Sequence, residues 1–226
     1  MTIENEALVR EFRRLAQDIA IRVAVFDVDG VILDSEAGSI WATNQALTLF
    51  GGEPISLDWY QQNHLGSFCD MLVARGVPAE KCEELLLALD DFFCLAEYPE
   101  RPGARQVLSY FSERGLPIHF ASACNRALTI EKIGRHAGLA DFVSATYGGE
   151  RKAAAFLQIA EEMKIAPANI LFVTDMGRDI EEAELAGVQY VFTITSGFSS
   201  RQQLAAYGYP IVHHHEELMD LLRLLF

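Results

Sequence analysis

The sequence predicts an α/β protein: a doubly wound parallel sheet with a small helical domain inserted after its first strand. Three observations carry this reading. Short apolar runs recur at 22–26, 117–121, 169–174 and 190–194. Segments with apolar residues at helical spacing separate them. Residues 35–101 hold helical patterns and no convincing strand. Buried strands alternating with helices make a parallel sheet covered on both faces.

Taken in order, the first element is a helix within residues 1–21. Leu8, Phe12, Leu15 and Ile19 fall on one helical face, whose stripe is expected to pack on the core or on a second subunit. "RVAVF" follows, β-branched and too short for a helix. The α/β core then continues to residue 34 and resumes at 102, so it comprises 22–34 and 102–226. Between them, 35–101 is helical, with "EELLLALDDFFCLAEY" its clearest stretch. Two prolines and a glycine in "YPERPG" close the insertion, which predicts hinges near Asp34–Ser35 and Pro99–Gly103. Val107, Leu108 and Phe111 mark the helix before "PIHFA". Ala153, Phe156, Leu157, Ala160 and Met163 mark the one before "NILFVT". Near the end, "HHH" at 213–215 invites a metal-cluster reading, but adjacent strand residues alternate faces, so it is expected to be a strand end entering the last helix.

Composition narrows the partners. Of 226 residues half are apolar, enough for a proper core, and the net charge is −14. An acidic chain without basic runs excludes nucleic acid and anionic membrane surfaces as natural partners. No apolar run approaches the ~20 residues that span a bilayer. "MTIENEALVREFRR" lacks the apolar core of a signal peptide. Cys69, Cys82, Cys94 and Cys124 show no C-x-x-C pairing and read as reduced thiols, which predicts a cytoplasmic protein.

The chemistry sits just past the apolar runs. Asp27 and Asp29 follow "VAVF", Ser122 follows "IHFA", and Asp175 and Asp179 follow "LFVT". Parallel strands point the same way, so residues beyond their C-terminal ends converge on one crevice. Several carboxylates there require a cation, and an oxygen-only donor set suits Mg²⁺. Lys152 opens the helix "KAAAFLQIA", where a cation opposes the macrodipole. An anion bound at that point would resolve the conflict.

With these residues the chain resembles the haloacid dehalogenase superfamily, in its phosphatase branch with a helical cap, like phosphoglycolate phosphatases. The matching stretches are "DVDGVILDS", Ser122 in "FASACN", Lys152, "VTDMGRDIEEAELAGV" and the closing "ITSGFSSRQQLAAYGYPIVHHHEELMDLL". The resemblance implies a Rossmann-like core with 35–101 as the cap. It implies Asp27 as nucleophile forming an aspartyl-phosphate, and Asp29 as acid and then base. Mg²⁺ would be held by Asp27, the backbone carbonyl of Asp29, and Asp175. Ser122, Ala123 and Lys152 would bind the phosphate, with Asp179 in support. The substrate would be a small phosphorylated metabolite, phosphoglycolate the best single choice, and the protein a monomer or homodimer. In the cap, His64, Ser67, Phe68 and Arg75 are candidates to face the substrate.

Departures from the family bear on the alternatives, a sugar phosphomutase or a catalytically idle phosphate-binding regulatory protein. Ser39 stands where related mutases have a histidine, and Phe68 and Cys69 fall where their cap arginine would lie. Asp29 argues against halide chemistry. A phosphonatase would need a cap lysine, and Lys81, the insertion's sole lysine, has no supporting motif. Ala153 replaces the proline that often follows the motif lysine.

Overall fold

A computed structural model describes residues 20–63, 68–149 and 151–226. The predicted N-terminal helix therefore lies almost wholly outside the described residues, as do His64 and Ser67. The chain divides into two compact units, one built from the segment ending at Leu33 together with Glu100–Phe226, the other Asp34–Pro99.

The first unit contains the sheet. Its strands are β1 (Val23–Phe26), β2 (Ile118–Ser122), β3 (Ala145–Gly148), β4 (Ile170–Thr174), β5 (Tyr190–Ile194) and β6 (Ile211–Val212). They run parallel in the order β3-β2-β1-β4-β5-β6. The winding reverses at β1, so the C-terminal ends of β1 and β4 flank the switch point where such sheets open a crevice. Phe26 is level with Val173 on one side and Phe120 on the other, and the Asp27 N–H donates to the Val173 carbonyl at 2.9 Å. Register thus carries Asp27 to the edge of the crevice.

Alternation along β1 supplies two apolar faces. Val23 and Val25 join Phe156, Phe172, Ile159 and Ile180 in one layer, where the Phe156 and Phe172 rings meet edge to face at 4.8 Å. Phe26 points the other way, onto Phe111 at 5.7 Å, with Phe226 packed against Phe111 at 6.0 Å. Strands β1, β2, β4 and β5 are buried along their whole lengths, which is why they read as unbroken apolar runs rather than as alternation. Among the described residues no helix is long and apolar enough to cross a membrane.

The second unit is helical: α1 (Glu36–Leu49), α2 (Leu57–Asn63), α3 (Phe68–Ala74) and α4 (Cys82–Leu95). Ala42, Ala46 and Leu47 of α1 and Leu85 and Leu89 of α4 are buried, and Trp41 meets Phe92 edge to face at 6.3 Å. Asn44 fastens the following loop, giving and receiving a hydrogen bond with the Ile55 backbone at 2.9 and 2.7 Å. The unit ends at Pro99 rather than at 101. Glu100 bridges Leu33, and the Arg101 N–H donates to the Ile32 carbonyl at 2.9 Å, so both residues belong with the sheet.

The remaining helices are α5 (Ala104–Glu113), α6 (Arg126–Gly134), α7 (Lys152–Met163), α8 (Gly177–Ala186), α9 (Arg201–Ala205) and α10 (His215–Leu225).

Candidate active site

Immediately past β1, the Asp27 side chain is almost fully buried. Its Oδ1 accepts the Val28 N–H at 2.7 Å, and its Oδ2 accepts from Lys152 Nζ at 2.5 Å. Lys152 also bonds Asp179 Oδ2, which takes a second donor, Thr174 Oγ1, at 3.0 Å. Asp27, Lys152, Thr174 and Asp179 therefore form one buried network drawn from the ends of β1 and β4 and the starts of α7 and α8.

Lys152 is the first residue of α7, as its sequence position suggests, but the anion at this helix start is one of the protein's own. Glu182 Oε2 accepts the Ala153 N–H at 3.1 Å, while the lysine side chain runs on to Asp27 and Asp179. A cation in the first turn is thus balanced by two carboxylates, while a third accepts a free N–H of the helix start.

Asp175 follows β4. Its Oδ2 accepts the Phe198 N–H at 2.6 Å, and the Ser199 N–H donates to its carbonyl at 3.3 Å. Its Oδ1 is buried and has no hydrogen-bond partner among the described residues. Two glycines make room for this carboxylate. A Cβ on Gly197 would lie 1.9 Å from Oδ2, and one on Gly30, whose φ is +81°, would lie 2.2 Å from it.

Burial dominates the electrostatics. It raises the Asp27 carboxyl well above its ordinary value despite the opposing pull of Lys152. Burial likewise pushes Asp175 up to about 7, against the N–H of Phe198. Burial would raise Asp179 too, but the charge of Lys152 together with hydrogen bonds from Asp27 and Lys152 holds this carboxyl below the ordinary value. Desolvation opposes charge on Lys152, yet Asp179 and Asp27 together keep it firmly protonated. Three buried carboxylates thus share one ammonium, and burial pushes two of them, Asp27 and Asp175, toward the protonated form when no further cation is present.

The donor set fits Mg²⁺. Mg²⁺ takes one or two carboxylates and fills its other positions with water and substrate oxygens, whereas all-protein cages are built for other ions. Among the described residues no group of three or more His, Cys, Asp or Glu side chains forms such a cage. The partnerless Asp175 Oδ1 beside the Asp27 loop is the kind of oxygen a hard cation requires.

Ser122 ends β2, buried, with its Oγ accepting the Cys124 N–H at 3.1 Å. It does not cap the next helix. Asn125 does so, accepting the Leu128 N–H at 2.9 Å. Ala123 lies between them on the exposed turn. A cavity of about 420 Å³ reaches Ser122 and Lys152 and is also lined by Arg126, Thr146, Gly148 and Glu162.

Sequence reasoning missed Lys132. It lies on α6, is fully buried, and its Nζ contacts Asp29 Oδ1 at 2.9 Å and Oδ2 at 3.1 Å. The available signal was its place four residues after buried Leu128 and directly before buried Ile133, on the inward stripe of the helix.

Elsewhere the predicted residues are dispersed. His213 bonds Thr195 and Arg201, at 3.0 and 3.1 Å, and His214 caps α10. His215 is buried as its first residue, so the three histidines form no cluster. Within the helical unit Phe68 opens α3. Arg75 donates to the Pro54 carbonyl at 2.8 Å, pairs with Glu53 at 2.9 Å and lies 4.8 Å over the Trp59 ring.

A doubly wound parallel sheet that buries acidic side chains and a lysine at its switch point defines an enzyme of the Rossmann-like α/β class. Residues 21–187 match the haloacid dehalogenase-like hydrolases, and the chain belongs to that family. It is 27% identical over 191 residues to a phosphoglycolate phosphatase of Synechococcus elongatus, covering 82% of this chain and 89% of that one. A phosphorylated carbohydrates phosphatase of Thermotoga maritima is 18% identical over 225 residues, covering 90% and 99%. Among solved structures, a predicted phosphatase from Clostridium acetobutylicum superposes with a TM-score of 0.78 at 18% identity, over 90% of this chain and 99% of that one. A haloacid dehalogenase-like hydrolase from Streptococcus pneumoniae gives 0.77 at 19%, over 89% and 98%.

Proposed function

We propose that this phosphatase hydrolyses a small phosphorylated metabolite through an aspartyl-phosphate on Asp27, with Mg²⁺ at the site. The observation that carries the proposal is the buried network joining Asp27, Lys152 and Asp179 at the switch point, with Asp175 Oδ1 left partnerless beside it.

Asp27 attacks phosphorus and displaces the ester oxygen, which departs with a proton from Asp29. Water then attacks the phosphoryl group, Asp29 takes back a proton, and phosphate and the free carboxylate result. Ser122, the Ala123 backbone and Lys152 hold the phosphoryl oxygens, while Asp179 and Thr174 keep Lys152 aimed at Asp27. Asp27, the Asp29 carbonyl and Asp175 would hold Mg²⁺, which when bound offsets the charge of the phosphoryl group and of the attacking carboxylate. Phosphoglycolate is the preferred substrate on the names of several relatives, among them that of Synechococcus elongatus. The segment 34–99 serves as the cap, with Phe68 and Arg75 among its candidates for substrate contact.

The test uses p-nitrophenyl phosphate and phosphoglycolate. Hydrolysis should vanish on chelation and return with Mg²⁺, and Asp27→Asn should reduce it at least ~10³-fold. Turnover that survives exhaustive metal removal, or a mild effect of Asp27→Asn, would overturn the proposal.

A further inference from the structure

The roles above leave one buried ion pair unused, between Lys132 and Asp29. The lysine is fully buried and arrives from α6, 103 residues along the chain from its partner. An ammonium on a helix face shared with Leu128 and Ile133 is costly to desolvate, and an apolar side chain of similar volume is commonly as stable or more so. Stability therefore gives no reason for a lysine here.

Geometry gives one. Nζ reaches both oxygens of Asp29, at 2.9 and 3.1 Å, and also lies 3.5 Å from Cys124 Sγ, which itself approaches Asp29 Oδ2 at 3.5 Å. The backbone under this carboxylate is fixed as well, since Asp29 bridges Leu33. Two residues earlier, Asp27 is held by a different lysine, Lys152, at 2.5 Å. The two aspartates of one loop are thus steered apart by two lysines from two helices.

We infer that Lys132 is the positioning residue for Asp29, fixing the direction of the proton-transferring carboxylate apart from the one that attacks phosphorus. This rests on the reading of Asp29 as the acid that protonates the departing oxygen.

An alkoxide must leave with a proton, whereas p-nitrophenolate leaves without one, and kcat/KM reports the steps through that departure. The experiment compares kcat/KM of the Mg²⁺-loaded enzyme on phosphoglycolate and glycerol phosphate with that on p-nitrophenyl phosphate. Lys132→Met should lower the alkyl values by roughly 30-fold or more and the aryl value by about 3-fold at most, within the range of acid–base effects. KM should change little. In an Asp29→Asn background, Lys132→Met should add less than about 2-fold, because residues acting as a unit are not additive. Equal losses on both ester types, or full additivity with Asp29→Asn, would overturn the inference. Should Lys132→Met fail to fold, Lys132→Gln keeps an N–H donor of similar reach and carries the same comparison. Asp29→Asn separates the two levels. If it fails to discriminate alkyl from aryl esters, the acid assignment itself falls. If it discriminates and the Lys132 variants do not, only the positioning role falls.

Discussion

Asp175 shows how much a single buried oxygen can report. Its folded pKa of about 7 lies above the ordinary 3.8, because burial penalises the charged form. Between those values the metal-free folded chain keeps a proton that the unfolded chain has released. Stability from this group is therefore complete below about pH 4 and is lost as pH rises through 7. Asp27 is shifted in the same direction. Metal-free protein should melt progressively lower from pH 5 to pH 7.5. Added Mg²⁺ should raise the melting temperature by roughly 5–10 °C at pH 8, when saturating near a hundredfold over its Kd, and hardly at all at pH 5. Thermal melts with chelator and with Mg²⁺ across this range check it; an Mg²⁺ increment equal at both pH values would refute it. At this scale the sequence was legible where chemistry sits at strand ends. Asp27 and Asp175 stood out by their place just past apolar strands, and Lys152 because a cation at a helix start breaks a local rule. Lys132 broke one too, but a lysine in a helix ordinarily reads as a solvated face, and only the partner across the fold gives it meaning.

Among the elements, the loop after β5 bears on Asp175, one of the proposed metal ligands. Gly197 lets the backbone pass within contact of Asp175, and a Cβ there would fall 1.9 Å from Oδ2. Since the Asp175 carboxylate accepts the Phe198 N–H and its backbone carbonyl accepts the Ser199 N–H, the side chain cannot yield without losing the first of these bonds. Gly197→Ala should weaken apparent Mg²⁺ affinity at least ~10-fold with a parallel fall in activity, as a displacement of about 1 Å in a site commonly does. Gly208→Ala is the contrast. Its φ is +75° and nothing lies within 4 Å of the added Cβ, so it should cost about 1 kcal/mol of strain and leave the metal dependence intact. A Mg²⁺ titration of both variants decides between them. Strands buried on both faces were legible as apolar runs. β3 escaped that reading, because "ATYG" is half-exposed at a sheet edge and carries no such run.

At the scale of the whole molecule, the chain passes between the sheet unit and the helical unit twice, after Leu33 and after Pro99. The Asp34 N–H donates to the Pro99 carbonyl at 2.7 Å, and Arg101 to Ile32 at 2.9 Å. The Asp27 loop leads straight into the first crossing, with the Leu33 N–H bonded to the Val28 carbonyl at 2.9 Å. Loading Asp27 should therefore be felt there. We expect hydrogen exchange in 33–35 and 99–103 to slow when Mg²⁺ and fluoroberyllate are bound, while β1 amides stay protected throughout. Unchanged exchange at both crossings under saturating ligand would mean that 34–99 acts as a fixed wall. The helical patterns of 35–101, with no convincing strand among them, announced an inserted domain, but the substrate it selects could not be read. His64 and Ser67 lie outside the described residues, and Arg75 is engaged by its own unit.

The reversal of winding at β1 also orders events in time. The strand that carries Asp27 is made first, yet its neighbours on both sides come later, and Lys152 follows Asp27 by 125 residues. At about 5–20 residues per second a ribosome needs roughly 6–25 s to cover that distance. Throughout this interval the four apolar residues of β1 have no complete sheet to join, and Asp27 has no Lys152 to pair with. On the proposed reading the chemistry waits for both, because the same topology that brings these residues together postpones their assembly until Lys152 and then β4 have been made.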